Sequence, residues 1–145
     1  MKKYLYLCLA IVGIAVFASC KSQKAVVASF SDLDGEWSVV ELNGDKLSDG
    51  KQLLVIDVAR KHLSGNAGCN RMTGNIEYSD AQKNIIKFSQ VATTRMACPD
   101  MKGEQDFLQA LNNVVRFQAE GTEKPVNTIA LYGTDNSKLM VIEKK

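Results

Sequence analysis

Histidine is nearly missing from this 145-residue chain, occurring once, at His62. A structural zinc site takes four ligands, and His62 is the only third soft donor beside Cys69 and Cys98, so no metal site is expected. The same scarcity weakens a cysteine–histidine nucleophile. His62 lies seven positions before Cys69, but beside Arg60 and Lys61 in a stretch that reads as a turn, where a solvated side chain is the expected state. No serine sits in a nucleophile elbow, and no carboxylate pair stands out from the scattered acidic residues. The glycines between Gly65 and Gly74 are not followed by Lys-Ser/Thr, which excludes a phosphate loop. They also lack the offsets of a dinucleotide loop. These absences predict a protein that is not an enzyme and holds no cofactor.

Long apolar runs are missing too, except at the N-terminus. There Lys2 and Lys3 precede a 14-residue apolar run, Tyr4 to Phe17, which is shorter than the roughly 18–20 residues of a membrane-crossing helix. Small residues and a cysteine follow, so residues 1–19 read as a secretory signal. Phe17-Ala18-Ser19-Cys20 resembles the lipobox of bacterial lipoproteins, with Phe17 where leucine is more usual. That resemblance implies a diacylglycerol on the Cys20 thiol and an acyl chain on its freed amine, and several chains together make a stable anchor. The plainer alternative is an ordinary cleavable signal with a chance cysteine.

Lys2 and Lys3 also account for the whole difference between 18 basic and 16 acidic residues. The mature chain is formally neutral, with no basic excess to bind nucleic acid. Residues 20–32, rich in Lys, Ser, Gln and Ala without period, read as the acylated cysteine and a flexible tether. Lys21, rather than Asp, follows Cys20; by the sorting logic of enteric bacteria this favours the outer membrane, with the periplasmic or outer face left open.

From residue 33 to 145 the pattern is that of one domain. Short apolar runs alternate with turns: Trp37–Leu42, Leu53–Val58, Gly74–Tyr78, Ile85–Phe88 extended by Gln90–Thr94, and a closing hairpin of Thr128–Tyr132 and Lys138–Ile142. Leu53–Val58 is nearly unbroken and reads as buried on both sides. Trp37 reads as core, its indole N–H needing a partner. One helix interrupts the strands. It starts at Pro99-Asp100, with Asp100 as N-cap, and carries a stripe of Phe107, Leu108, Leu111, Val114 and Val115. The expected fold is α+β: seven or eight mostly antiparallel strands, as a small barrel or two-sheet sandwich, with the helix packed on it.

The densest turn chemistry lies in Gly65-Asn66-Ala67-Gly68-Cys69-Asn70-Arg71-Met72-Thr73-Gly74, and Thr94-Arg95-Met96-Ala97-Cys98-Pro99 follows. The spacing predicts a bent hairpin pinned to a distant loop. These two arms resemble the signature of the META domain, or HslJ-like, family. Further matches are Leu33, Gly35-Glu36-Trp37, and Glu104 to Leu111. The matched motif residues are Gly65, Gly68, Cys69, Asn70, Arg71, Thr94, Arg95, Met96, Ala97 and Cys98. Membership implies a compact antiparallel β structure with one helix.

Within the motif, Cys69 and Cys98 could form a disulfide, sit as buried thiols or hold a metal; an oxidising envelope favours the disulfide. Arg71 and Arg95 could bind an anion or a partner, but are expected to pair with local carboxylates or cap carbonyls. Asn70 is expected to satisfy backbone groups of its own turn. The resemblance implies a lipid-anchored envelope protein that supports integrity or stress and antibiotic tolerance through an unknown protein partner. A second implied reading is a pilot-type lipoprotein of a secretion system, holding an apolar ligand or lipid tail beneath the helix.

Overall fold

The computed structural model describes residues 26–99 and 101–145. The signal segment, Cys20 with its acylation, Lys21 and the expected N-cap Asp100 lie outside the described residues. The chain forms β1 (Gly35–Leu42), β2 (Asp45–Lys46), β3 (Gln52–Asp57), β4 (His62–Ala67), β5 (Arg71–Tyr78), β6 (Ile86–Thr93), α1 (Met101–Asn112), β7 (Arg116–Ala119), β8 (Thr128–Tyr132) and β9 (Lys138–Lys144).

All strand pairs are antiparallel, in one sheet of order β6-β5-β4-β3-β1-β9-β8-β7, with β2 attached to β1. The sheet curls until its two edges meet. Ile85 bridges Arg116, the Ile86 N–H donates to the Val115 carbonyl at 3.1 Å, and the Phe117 N–H donates to the Asn84 carbonyl at 3.0 Å. Those contacts involve only the start of β6. The connection from β6 to β7 contains α1, which packs against β6 and covers the gap left by the incomplete closure. The result is an antiparallel half-barrel with one helix, the α+β class expected from the sequence.

The core fills the inside of the curl. Trp37, Leu33, Phe107, Leu111, Ile129, Leu131 and Met140 are fully buried, and the Trp37 indole N–H donates to the Leu33 carbonyl at 2.7 Å. α1 buries Phe107 and Leu111, as the stripe predicts, and Ala110 beside them, while Leu108 is half-buried; the helix ends at Asn112. Val114 and Val115 therefore lie beyond the helix, although Val114 stays buried.

Four segments differ from the expectation. His62–Asn66, which is not among the strand-like runs read from the sequence, belongs to β4, whose only fully buried side chains are Leu63 and Ala67. So sparse an apolar pattern, interrupted by Gly65, resembles a loop when read alone. Arg116–Ala119 is an additional strand, hidden because Val114 and Val115 continue the helical period. Leu53–Val58 is not buried on both sides. Gln52, Leu54 and Ile56 point inward while Leu53, Val55 and Asp57 are half-exposed, because a single curled layer has an outer face open to solvent. Residues 26–32, assigned to the tether, lie on the domain. Ala28 is buried, Phe30–Leu33 form a 3-10 turn, and the Phe30 ring stacks on Tyr78 with centroids 3.9 Å apart.

Gly65 lets β3 and β4 pair. Its φ is +150°, and a Cβ there would lie 2.0 Å from the Leu53 carbonyl oxygen, a backbone atom that cannot step aside. Gly44, in the β1–β2 turn, has a φ of +91° but open space around it. Gly65→Ala should therefore cost about 3 kcal/mol or more, and Gly44→Ala about 1–2 kcal/mol, read from urea midpoints. Equal losses at the two sites would contradict this packing argument.

Candidate functional site

The joint joins three pieces of chain. β4 ends at Ala67 and β5 begins at Arg71, so Gly68-Cys69-Asn70 forms the turn between them. Within it the Ala67 N–H donates to the Asn70 carbonyl at 2.8 Å and the Gly68 N–H to Asn66 Oδ1 at 2.8 Å. Gly68 has a φ of +136°, which turns the chain sharply enough to aim the next two amides inward. The second arm, 94–99, leaves β6 and leads to α1. A Cys69–Cys98 disulfide ties the arms, with Cα atoms 6.4 Å apart, inside the normal range for the bond.

Asn70 lies at the centre and is 1% exposed. Its Oδ1 accepts the Thr94 hydroxyl at 2.8 Å and the Met96 N–H at 2.8 Å. Its Nδ2 donates to Glu104 Oε1 at 2.7 Å and to the Met96 carbonyl at 3.4 Å. Both donors and both acceptors of the amide are used. The expectation that Asn70 serves its own turn is replaced by a longer reach: its side chain bonds the second arm and the helix.

Glu104 completes the cluster from the first turn of α1. It is 4% exposed, and its Oε2 accepts the Cys69 N–H at 3.1 Å and the Asn70 N–H at 2.8 Å. Burial pushes its pKa up, but the hydrogen bonds from Asn70 and Cys69 outweigh that and hold it below the ordinary 4.5. Sequence reasoning placed Glu104 in the helix without giving it a role. The signal was available: Glu104 stands three and four residues before Phe107 and Leu108, so it occupies a position of the apolar stripe. A carboxylate on a buried helix face needs donors.

Thr94 joins the arms a second time. Its Oγ1 accepts the Arg71 N–H at 3.2 Å, and its backbone N–H donates to the Arg71 carbonyl at 3.0 Å. The charged motif members behave otherwise. Arg71 and Arg95 are exposed, and among the described residues neither guanidinium makes an ion pair or a hydrogen bond, so the expected local pairing does not form. Met96 is 55% exposed and Ala97 is exposed beside them. His62 starts β4, at the opposite end of that strand from Cys69, with its Nε2 3.1 Å from Thr73 Oγ1. Among the described residues no group of three His, Cys, Asp or Glu is arranged to hold a metal ion. A cleft of about 280 Å3 beside the joint is lined by Lys51, Gln52, Cys69, Cys98, Pro99 and Glu104.

The Glu104 geometry makes a pH prediction. Its folded pKa is depressed, so it contributes stability above the unfolded value near 4.5 that is lost as pH falls through the folded pKa. Both oxygens face N–H donors, so a glutamine in either orientation sets its own NH2 against one of them. Glu104→Gln should cost about 2–4 kcal/mol at pH 7. It should also flatten the fall in stability below pH 4.5, both read from denaturation midpoints between pH 7 and 3. A glutamine variant as stable as the native chain, with the same acid profile, would contradict the assignment.

Comparison with known proteins agrees with this architecture. A META domain sequence profile matches residues 30–145. Among solved structures, the chain is similar to a protein from Burkholderia xenovorans solved by NMR, with a TM-score of 0.58 and 21% identity over 80% of this chain and 86% of that one. It is also similar to a DUF4847 family protein from Bacteroides vulgatus solved by crystallography, with a TM-score of 0.54 and 14% identity over 77% of this chain and 93% of that one. At these identities the likeness is one of fold. No curated protein matches significantly by sequence. With the profile spanning nearly the whole described domain and both motif arms inside it, this chain belongs to the META domain family.

Proposed function

We propose that the protein is a non-catalytic envelope lipoprotein, acylated at Cys20 and delivered to the outer membrane, which supports envelope integrity or stress tolerance through protein contacts. One observation carries the reading. The buried side chains of Asn70 and Glu104 are consumed by one another and by the amides of the two arms, while the side chains of Arg71, Arg95 and Met96 face outward and make no ion pair or hydrogen bond among the described residues. Asn70 has no hydrogen-bonding capacity to spare, and Glu104 is held ionised by backbone and amide N–H groups. Two exposed guanidiniums and an exposed thioether on the two tied arms make a surface suited to an acidic, partly apolar protein patch.

The pilot-type alternative requires apolar space beneath the helix. Phe107 and Leu111 are 0% exposed and Ala110 3%, and α1 packs against β9, whose Met140 is also 0% exposed. This filled interior favours protein contacts over a lipid tail held in the core.

The test is crosslinking in intact cells followed by capture of the protein. The native chain should bring down a discrete partner, and the Arg71→Glu, Arg95→Glu double variant should lose it at unchanged abundance and melting temperature. A double variant that retains both the partner and normal envelope tolerance would contradict the proposed surface.

A further inference from the structure

The end of the half-barrel opposite the joint carries an apolar surface whose position relative to the anchor is fixed by chain length. Val27 is 80% exposed and Ile85 38% exposed, large values for aliphatic side chains. A hollow of about 360 Å3 separates the two segments that bear them, lined by Val26, Val27, Ala28, Lys83, Asn84 and Phe117 among others. The N-terminal segment is held there: Ala28 is buried, and the Val26 N–H donates to the Gly121 carbonyl at 3.5 Å. Only residues 21–25 separate Val26 from Cys20, so the two Cα atoms can lie at most about 20 Å apart. If Cys20 is acylated, this end cannot leave the neighbourhood of the bilayer.

The joint lies at the far end. Ile85 immediately precedes β6 and the arm bearing Met96 leaves its other end, so the eight residues of β6, roughly 25 Å of extended chain, lie between the two surfaces. From this geometry we infer that the Val26–Val27 and Ile85 surface rests on the lipid bilayer, pointing the Arg71–Arg95–Met96 surface away from it. The inference depends on the proposed acylation of Cys20.

The contact is apolar rather than electrostatic. Lys83 and Lys124 lie at this end, but Asp80 is three residues from Lys83, and Asp32 pairs with Lys124 at 3.3 Å. Charge therefore gives no net pull toward anionic lipid, and a zwitterionic surface serves equally well. The acyl chains supply the affinity; the two aliphatic side chains need only choose which face turns down.

The test uses the mature acylated chain in vesicles of brominated or ordinary phosphatidylethanolamine. Val27→Trp, Ile85→Trp and Met96→Trp each place an exposed indole, and the native Trp37, buried in every variant, gives a common background. Bromine should quench the indoles at positions 27 and 85 at least about threefold more than the one at 96, with little change in high salt, since a bound apolar face sits in the headgroup–acyl boundary. Flotation and intact mass are read on the same samples. A chain that fails to float and has an unmodified Cys20 overturns the anchoring reading and this inference with it. An acylated, floating chain whose three indoles are quenched alike overturns the inference alone.

Discussion

The joint depends on a carboxylate placed where hydrogen-bond donors converge. Glu104 brings a negative charge onto the buried face of α1, and the N–H groups of Cys69 and Asn70, with the Asn70 side chain, compensate its desolvation. Neither partner is tolerable without the other. Two amides in a sharp turn between strands have no ladder partner, and an ionised carboxylate in the core has no water. Each satisfies the other, and the register of α1 against the sheet follows from their meeting.

That constraint reaches the rest of the fold through the edge of the sheet. β6 meets β7 only at its start, and α1 lies along the gap beyond. An uncovered strand edge of that kind invites pairing with another chain, and a helix laid over it removes the hazard. The Cys69–Cys98 disulfide ties the same two arms covalently. It limits how far they can separate in the unfolded chain, whereas the Glu104–Asn70 bonds choose one arrangement in the folded one. One link restricts distance and the other specifies geometry.

Much of this was legible from residue order. The alternating runs of β1, β5, β6, β8 and β9, the burial of Trp37, the Phe107–Leu111 stripe and the two-arm motif all announce themselves locally. β4 did not, because two buried residues around a glycine carry no period, although the glycine is there to let β3 approach. β7 was masked by the two valines before it, whose spacing suits either element. Of the joint, the arms were visible and the keystone was not. Asn70 and Glu104 are 34 positions apart, and only the folded chain shows that the stripe's one charged member faces the turn's inward amides. The outward setting of Arg71 and Arg95 was likewise hidden, since residue type alone cannot say whether a carboxylate lies within reach.

The most direct test is amide hydrogen exchange in the native protein, followed residue by residue by NMR. The Cys69 and Asn70 amides sit in a connection between strands, where exchange is ordinarily fast. If Glu104 accepts both, they should exchange as slowly as the paired amides of β4 and β5 at neutral pH, opening only with the whole domain. Exchange at Cys69 and Asn70 as rapid as at the exposed Gly44 amide of the β1–β2 turn would show that the carboxylate does not hold the joint.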